Sequence, residues 1–184
     1  MVTKKITKFV FAVLFAALIS AGAFIVIPFG PVPIVLQNLF TLLAALVLGP
    51  VYGSLSVALF LAAGAIGVPV FANNGTPMGI ARIIGPTGGY LFGYLLGAFV
   101  AGLIAGTPRQ GEKKIMWRII IAASAGTLTV YLPGLFRLKF EFDTWRQTLA
   151  IGLVPFIAGD LLKSAIAVLI APRLRRTASQ LINR

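Results

Sequence analysis

Six apolar runs dominate this chain, at residues 8–27, 34–48, 51–68, 87–106, 116–136 and 148–171, each bounded by turn-forming or charged residues. About 20 apolar residues cross the roughly 30 Å hydrocarbon layer as a helix. In lipid the backbone must satisfy its own polar groups, which leaves helices as the solution for runs of this kind. The sequence therefore predicts an all-α integral membrane protein, a single transmembrane domain over residues 1–184 built as a bundle of six transmembrane helices. The second run is short, and Leu48-Gly49-Pro50-Val51 leaves only a tight hairpin before the third. The first run follows Lys4, Lys5 and Lys8 as a signal peptide would. No small-residue cleavage site with a mature soluble domain follows it, so it is read as a helix.

Composition agrees. With 59% hydrophobic and 11% charged residues, the chain is too apolar for a soluble domain of 184 residues. Cysteine and histidine are absent, which removes thiolate nucleophiles, disulfides, Cys-based metal sites and the usual general base. No catalytic residue, metal site or cofactor is expected, and an intramembrane enzyme would lack its components. The formal charge of +12 would suit nucleic acid, but the cations sit in short segments between and beyond the apolar runs. That distribution reads as membrane topology, with no nucleic-acid partner.

Lys4, Lys5, Lys8, Arg109, Lys113, Lys114, Arg118, Arg173, Arg175, Arg176 and Arg184 fall on one side of an alternating topology; Arg82, Arg137, Lys139 and Arg146 fall on the other. Eleven against four predicts, by the positive-inside rule, that both termini are cytoplasmic. The segment 28–33 and the connector 69–86 would then lie outside. Gln37, Asn38, Asn73, Asn74, Arg82, Thr87 and Tyr90 gather near them, which points to one solute pocket opening outward.

Of four carboxylates, Glu112, Glu141 and Asp143 lie in charged connectors, so Asp160 alone falls inside an apolar run, with Lys163 three residues on. An ionisable residue at membrane depth is costly unless paired and marks a functional site by default. The pair could merely neutralise itself; ligand binding better explains keeping both charges. Pro155 and Gly159 weaken the helix just before it. An ion or proton-coupled channel or transporter using Asp160 and Lys163 is the rival reading, although such a relay normally needs further titratable residues.

Gly85-Pro-Thr-Gly-Gly-Tyr90 lacks the spacing and lysine of a phosphate loop. Thr87 suits a helix cap there, and the glycines permit close approach or ligand contact. The connector around Asn73, Asn74 and Arg82 is long enough to be a lid, or else an idle loop. In the first run Ala12, Ala16 and Ser20 share a face, with Ala17 and Ala21 beside it. Small residues at this spacing serve either packing within the chain or docking of a partner.

The runs Gly30-Pro-Val-Pro-Ile-Val-Leu-Gln37, Leu48-Gly-Pro-Val-Tyr-Gly53, Gly64-Ala-Ile-Gly-Val-Pro-Val-Phe71, Gly85-Pro-Thr-Gly-Gly-Tyr90 and Pro155-Phe-Ile-Ala-Gly-Asp-Leu-Leu-Lys163 together resemble the BioY family. These are the biotin-specific S components of energy-coupling factor (ECF) vitamin transporters. The resemblance covers nearly the whole chain in order. It implies a multi-pass protein of the cell membrane that binds biotin outside and delivers it inward. Its implied partners are an ECF transmembrane scaffold subunit and two cytoplasmic ATPase subunits. It further implies biotin contacts at Asp160, Lys163, Arg82 and Asn73 or Asn74, with Gln37 and Tyr90 also at the ligand, and docking of the scaffold on Ala12, Ala16 and Ser20. The chemistry suits biotin: Asp160 can accept from the ureido N–H groups, an Asn can serve either edge, Arg82 or Lys163 can hold the valerate carboxylate, and Tyr90 and Phe71 can pack on the rings. Val35, where the family commonly has Thr, and the plain Asn73-Asn74 connector depart from the pattern without removing a charged contact.

Overall fold

The computed structural model describes residues 2–27, 34–71, 78–109 and 116–183. In chain order these form α1 (Val2–Phe24), β1 (Val26–Ile27), β2 (Ile34–Val35), α2 (Gln37–Ala65), α3 (Ile80–Ile84), α4 (Gly88–Ala105), α5 (Met116–Lys139), α6 (Trp145–Gly152) and α7 (Val154–Asn183). The expected helical membrane fold is present, with one small addition. β1 and β2 pair antiparallel over two residues each, closing the end of α1 onto the start of α2.

Five helices, α1, α2, α4, α5 and α7, are long and apolar enough to cross a bilayer. Their outward faces carry large apolar side chains, among them Phe92, Phe99, Leu128, Leu132, Leu161 and Leu169. A water-facing surface of this kind would aggregate; facing lipid, it needs no cover.

α2 contains two of the predicted runs. At Gly49 the backbone leaves helical geometry (φ 79°, ψ −171°), and Pro50 follows. Beyond the break the chain folds back on itself: a Cβ on Gly53 would lie 2.6 Å from the Ala45 Cα. A glycine satisfies both the positive φ and the close approach. The second half of α2 ends where Gly67 takes φ 98° and the Val68 N–H reaches back to the Ala63 carbonyl, a left-handed C-terminal cap. Phe71 then tucks its ring against Gly64 and edge-on to Phe60, at 5.4 Å.

Small residues set the spacing of α4 and α5. A Cβ at Gly93 would meet the Val130 carbonyl oxygen at 2.4 Å, and one at Gly97 the Gly126 oxygen at 2.6 Å. Close backbone approach of this kind maximises dispersion contact between helices that lipid does not drive together.

The last predicted run requires correction. A helix starts earlier, at Trp145, where the Thr144 hydroxyl accepts from the Gln147 N–H, and it breaks at Leu153 before α7 begins. Pro155 contributes to the break: it offers no N–H, so no backbone bond can run from it to the carbonyl one turn back. α7 then runs past Ala171 and Pro172 to Asn183. Its continuation is held by packing, with Ala178, Ser179 and Ile182 buried.

The end of the bundle that carries Gly49 is closed by Arg175. This buried side chain donates from Nη1 to the Leu46 carbonyl and, at 3.0 Å, to that of Gly106, and from Nη2 to Ala105 at 3.0 Å. It thus serves carbonyls at or near the ends of the first half of α2 and of α4, groups that a helix terminus leaves without partners. Lys8 lies over the Tyr52 ring, 5.7 Å from its centroid. The start of α1 and the end of α7 therefore share this end of the bundle.

Candidate functional site

At the opposite end lies a cavity of about 210 Å³. Four helices build it. α2 contributes Gln37 and Asn38 from its first turn, α4 contributes Tyr90 and Tyr94, α5 contributes Val130 and Tyr131, and α7 contributes Pro155, Asp160 and Lys163. Phe71 and Arg82, from the connector between α2 and α4, also face it. Five of the expected ligand residues, Gln37, Arg82, Tyr90, Asp160 and Lys163, thus meet in one cavity. Asn73 and Asn74 lie outside the described residues.

The Asp160 carboxylate organises the floor. Lys163 Nζ sits 2.7 Å from Oδ1, and Asn38 Nδ2 donates to the same oxygen at 2.6 Å. Tyr131 donates its hydroxyl proton to Oδ2. Lys163 also donates to the Val35 carbonyl at 3.4 Å. The lysine side chain is 7% exposed and the aspartate 12%. Charges this buried survive only when paired and hydrogen-bonded. Because the pair is neutral overall, the floor suits a neutral, polar ligand group.

The expectation for Asp160 is refined accordingly. Oδ1 already accepts twice and Oδ2 once, so the carboxylate has little capacity left for a ligand. Groups with unused capacity sit beside it. Gln37 is 2% exposed, and among the described residues its Nε2 finds no partner. Asn38 Oδ1 is likewise buried, with no partner among the described residues. A smaller recess of about 30 Å³ continues beneath the cluster, between Thr41, Thr127 and Ser164.

Tyr90 is placed by its hydroxyl, which donates to the Gly152 carbonyl at 2.8 Å, where the break between α6 and α7 frees the backbone. Its ring packs on Gly134 and edge-on to Tyr131, at 6.3 Å. The glycines ahead of it serve packing. A Cβ on Gly88 would strike the Ile83 carbonyl, and one on Gly89 the Pro133 carbonyl at 2.2 Å. Thr87 occupies the cap position of α4 but makes no side-chain capping bond, so the capping expected of it is not realised. Among the described residues no group of three or more acidic or thiol side chains could hold a metal.

The stripe on α1 divides between the core and the surface. Ala12 is fully buried and Ala16 is 9% exposed, both within the chain's own core, and Ser20 bonds back to the Ala16 carbonyl. Ala12 and Ala16 thus pack internally, whereas Ser20 is partly exposed. Ala17 and Ala21, at the same spacing, are exposed.

Sequence reasoning placed Asn38 near the pocket without giving it a ligand role, and it missed Tyr94 and Tyr131 as site residues. A signal existed for the tyrosines. A phenol inside an apolar run needs a partner for its hydroxyl, and Tyr94 follows Tyr90 by one helical turn, on the same face.

A multi-helix membrane bundle with a polar cavity at one end, floored by a buried ion pair, defines a membrane-embedded binding protein for a small solute. The chain belongs to the BioY family, whose model matches residues 1–180. It is 47% identical over 164 residues to a biotin transporter BioY of Thermotoga maritima, covering 89% of this chain and 92% of that one. It is 43% identical to a probable biotin transporter BioY of Pyrococcus horikoshii, covering 88% and 92%. It also resembles a crystal structure of the S-component for biotin from an ECF-type ABC transporter, with a TM-score of 0.78 and 32% identity over 94% of this chain and 92% of the other.

Proposed function

We propose that this chain is the biotin-binding membrane component of a vitamin uptake transporter, and not an enzyme. The observation that carries the reading is the pairing of one ion-paired, largely saturated polar floor with one cation, Arg82, in a single cavity. Biotin has the matching polarity: a neutral ureido head at one end of an apolar body and a carboxylate at the other. The head sits on the floor. Gln37 Nε2 and the remaining Lys163 proton serve its carbonyl, and Asn38 Oδ1 with the open lone pair of Asp160 Oδ2 serves its two N–H groups. Tyr90 and Phe71 flank the rings. Arg82 holds the carboxylate, and Asn73 or Asn74 completes the enclosure.

Folding back at Gly49 supports six crossings of the cell membrane, and the cation asymmetry supports cytoplasmic termini. Biotin then enters from outside. Inward delivery then uses an ECF transmembrane scaffold, which docks on the exposed flank of α1 at Ala17 and Ala21, together with two cytoplasmic ATPase subunits.

Titration of detergent-purified protein with biotin and with biotin amide tests this reading. One-to-one binding that weakens with the amide is expected. No binding by a folded sample would overturn the ligand assignment, and equal binding of both compounds would overturn the role of Arg82.

A further inference from the structure

We infer that Arg137, which lines no part of the cavity, is a positioning residue that pins the short helix α3 and thereby holds Arg82 at the mouth of the site. The inference rests on the proposed ligand site and adds to it the means by which its cationic end is fixed.

α3 has little of its own to hold it in place. It is five residues long with none fully buried; Ile83 packs partly against the core, while Ile80 and Ile84 are 62% and 65% exposed. Its flanks are glycines: Gly79 at φ 67° before it and Gly85 after it. A single helical turn anchored by one partly buried apolar side chain is not stable by itself. Yet the chemistry proposed for Arg82 requires a guanidinium held in a narrow range of positions.

Arg137 supplies a tie from outside. It stands in the last turn of α5. Its Nε and Nη2 both donate to the Ile84 carbonyl, at 3.3 and 3.1 Å. This carbonyl is at the C-terminus of α3, where a cation is favoured and the helix itself supplies no partner. The third arm of the guanidinium, Nη1, donates to Glu141 Oε1 at 2.9 Å. Glu141 lies one turn further on, so the carboxylate orients the fork from behind. Close packing fixes the base of the side chain as well, since a Cβ on Gly89 would lie 2.7 Å from Arg137 Cβ. Ile84 is two residues from Arg82, so holding the one carbonyl limits the travel of the other side chain. Lysine would replace this fork with a single point donor and lose the two-pronged grip.

Two readouts on the full-length protein in detergent decide the matter. The first is amide hydrogen exchange over residues 79–85 without ligand. Arg137→Ala should accelerate exchange there and leave α4 and α5 protected, with Arg137→Lys intermediate. Unchanged exchange overturns the inference whatever Arg82 binds. The second is a double-mutant cycle on biotin affinity with Arg82→Ala. Arg137→Ala alone should weaken binding roughly tenfold, within the range for residues that act through one another, and should add almost nothing in the Arg82→Ala background. A full, independent loss in that background overturns the inference, because Arg137 would then act by another route. If Arg82→Ala leaves affinity unchanged, the site reading fails on its own, and the exchange result alone decides whether Arg137 holds α3.

Discussion

Tyr131 on α5 donates its hydroxyl proton to Asp160 on α7, and this bond joins the two helices at the floor of the ligand cavity. It uses one lone pair of the single carboxylate the sequence places in an apolar run, and it fixes the plane in which that carboxylate lies. Tyr131→Phe removes the donor and keeps the ring against Tyr90. Hydrogen bonds to charged groups contribute about 1.5–3 kcal/mol, so biotin affinity should fall on the order of tenfold or more while the fold survives. Calorimetric titration measures the loss; an unchanged affinity would show that Asp160 needs no such restraint.

Asp160 and Lys163 allow stability to be separated from binding. Removing one partner of a buried pair costs about 3–5 kcal/mol because an uncompensated charge remains. Lys163→Met should therefore lower the unfolding midpoint sharply. Asp160→Asn combined with Lys163→Met removes both charges, and it should recover much of that stability without recovering affinity. Thermal unfolding followed by titration of the same samples checks both halves. Recovery of binding by the double variant would mean that the charges serve the fold alone.

Much of this arrangement was legible in the sequence because lipid imposes a simple rule on it. The apolar runs marked the spanning helices, Gly49-Pro50 marked the reversal, and the lone membrane carboxylate marked the floor of the site. What escaped was decided by tertiary packing. Tyr131 becomes a site residue, and Asn38 a partner of Asp160, only because α2, α5 and α7 converge there, and no local pattern encodes that convergence. Ala12 and Ala16 show the same limit from the other side. The small-residue spacing was readable, but which flank of α1 faces the bundle depends on where α2 and its reversal lie. The extension of α7 past Pro172 was hidden because a run of arginines ordinarily ends a membrane helix, whereas Arg175 finds three carbonyl partners.

Gly93 tests the spacing of α4 and α5. A methyl group there would enter to within 2.4 Å of the Val130 carbonyl, and the obstructing atom is backbone, which cannot rotate away. Overpacking of this kind costs roughly 1–3 kcal/mol. Val130 also lines the cavity, so Gly93→Ala should reduce both thermal stability and biotin affinity. Ala98→Gly, on the same helix but removing rather than adding volume, should lower stability with a smaller effect on affinity. Equal effects on affinity would place the control of the cavity elsewhere than in this crossing.

Arg175 holds the opposite end of the bundle closed, and its effect should be the reverse of that at the floor. Its guanidinium satisfies carbonyls of Leu46, Ala105 and Gly106, drawing two helix ends and α7 together far from the ligand. Arg175→Ala leaves these acceptors without the donor they share. Each bond has a charged donor and contributes about 1.5–3 kcal/mol, so the loss should be about 4 kcal/mol or more. Arg175→Lys, with three donors but no planar fork, should recover only part of it. Thermal unfolding without ligand should register the full change, whereas biotin affinity measured well below the transition should hold close to that of the unmodified protein. A large loss of affinity at low temperature would instead mean that the two ends of the bundle are coupled, with closure at Arg175 required for the cavity to form.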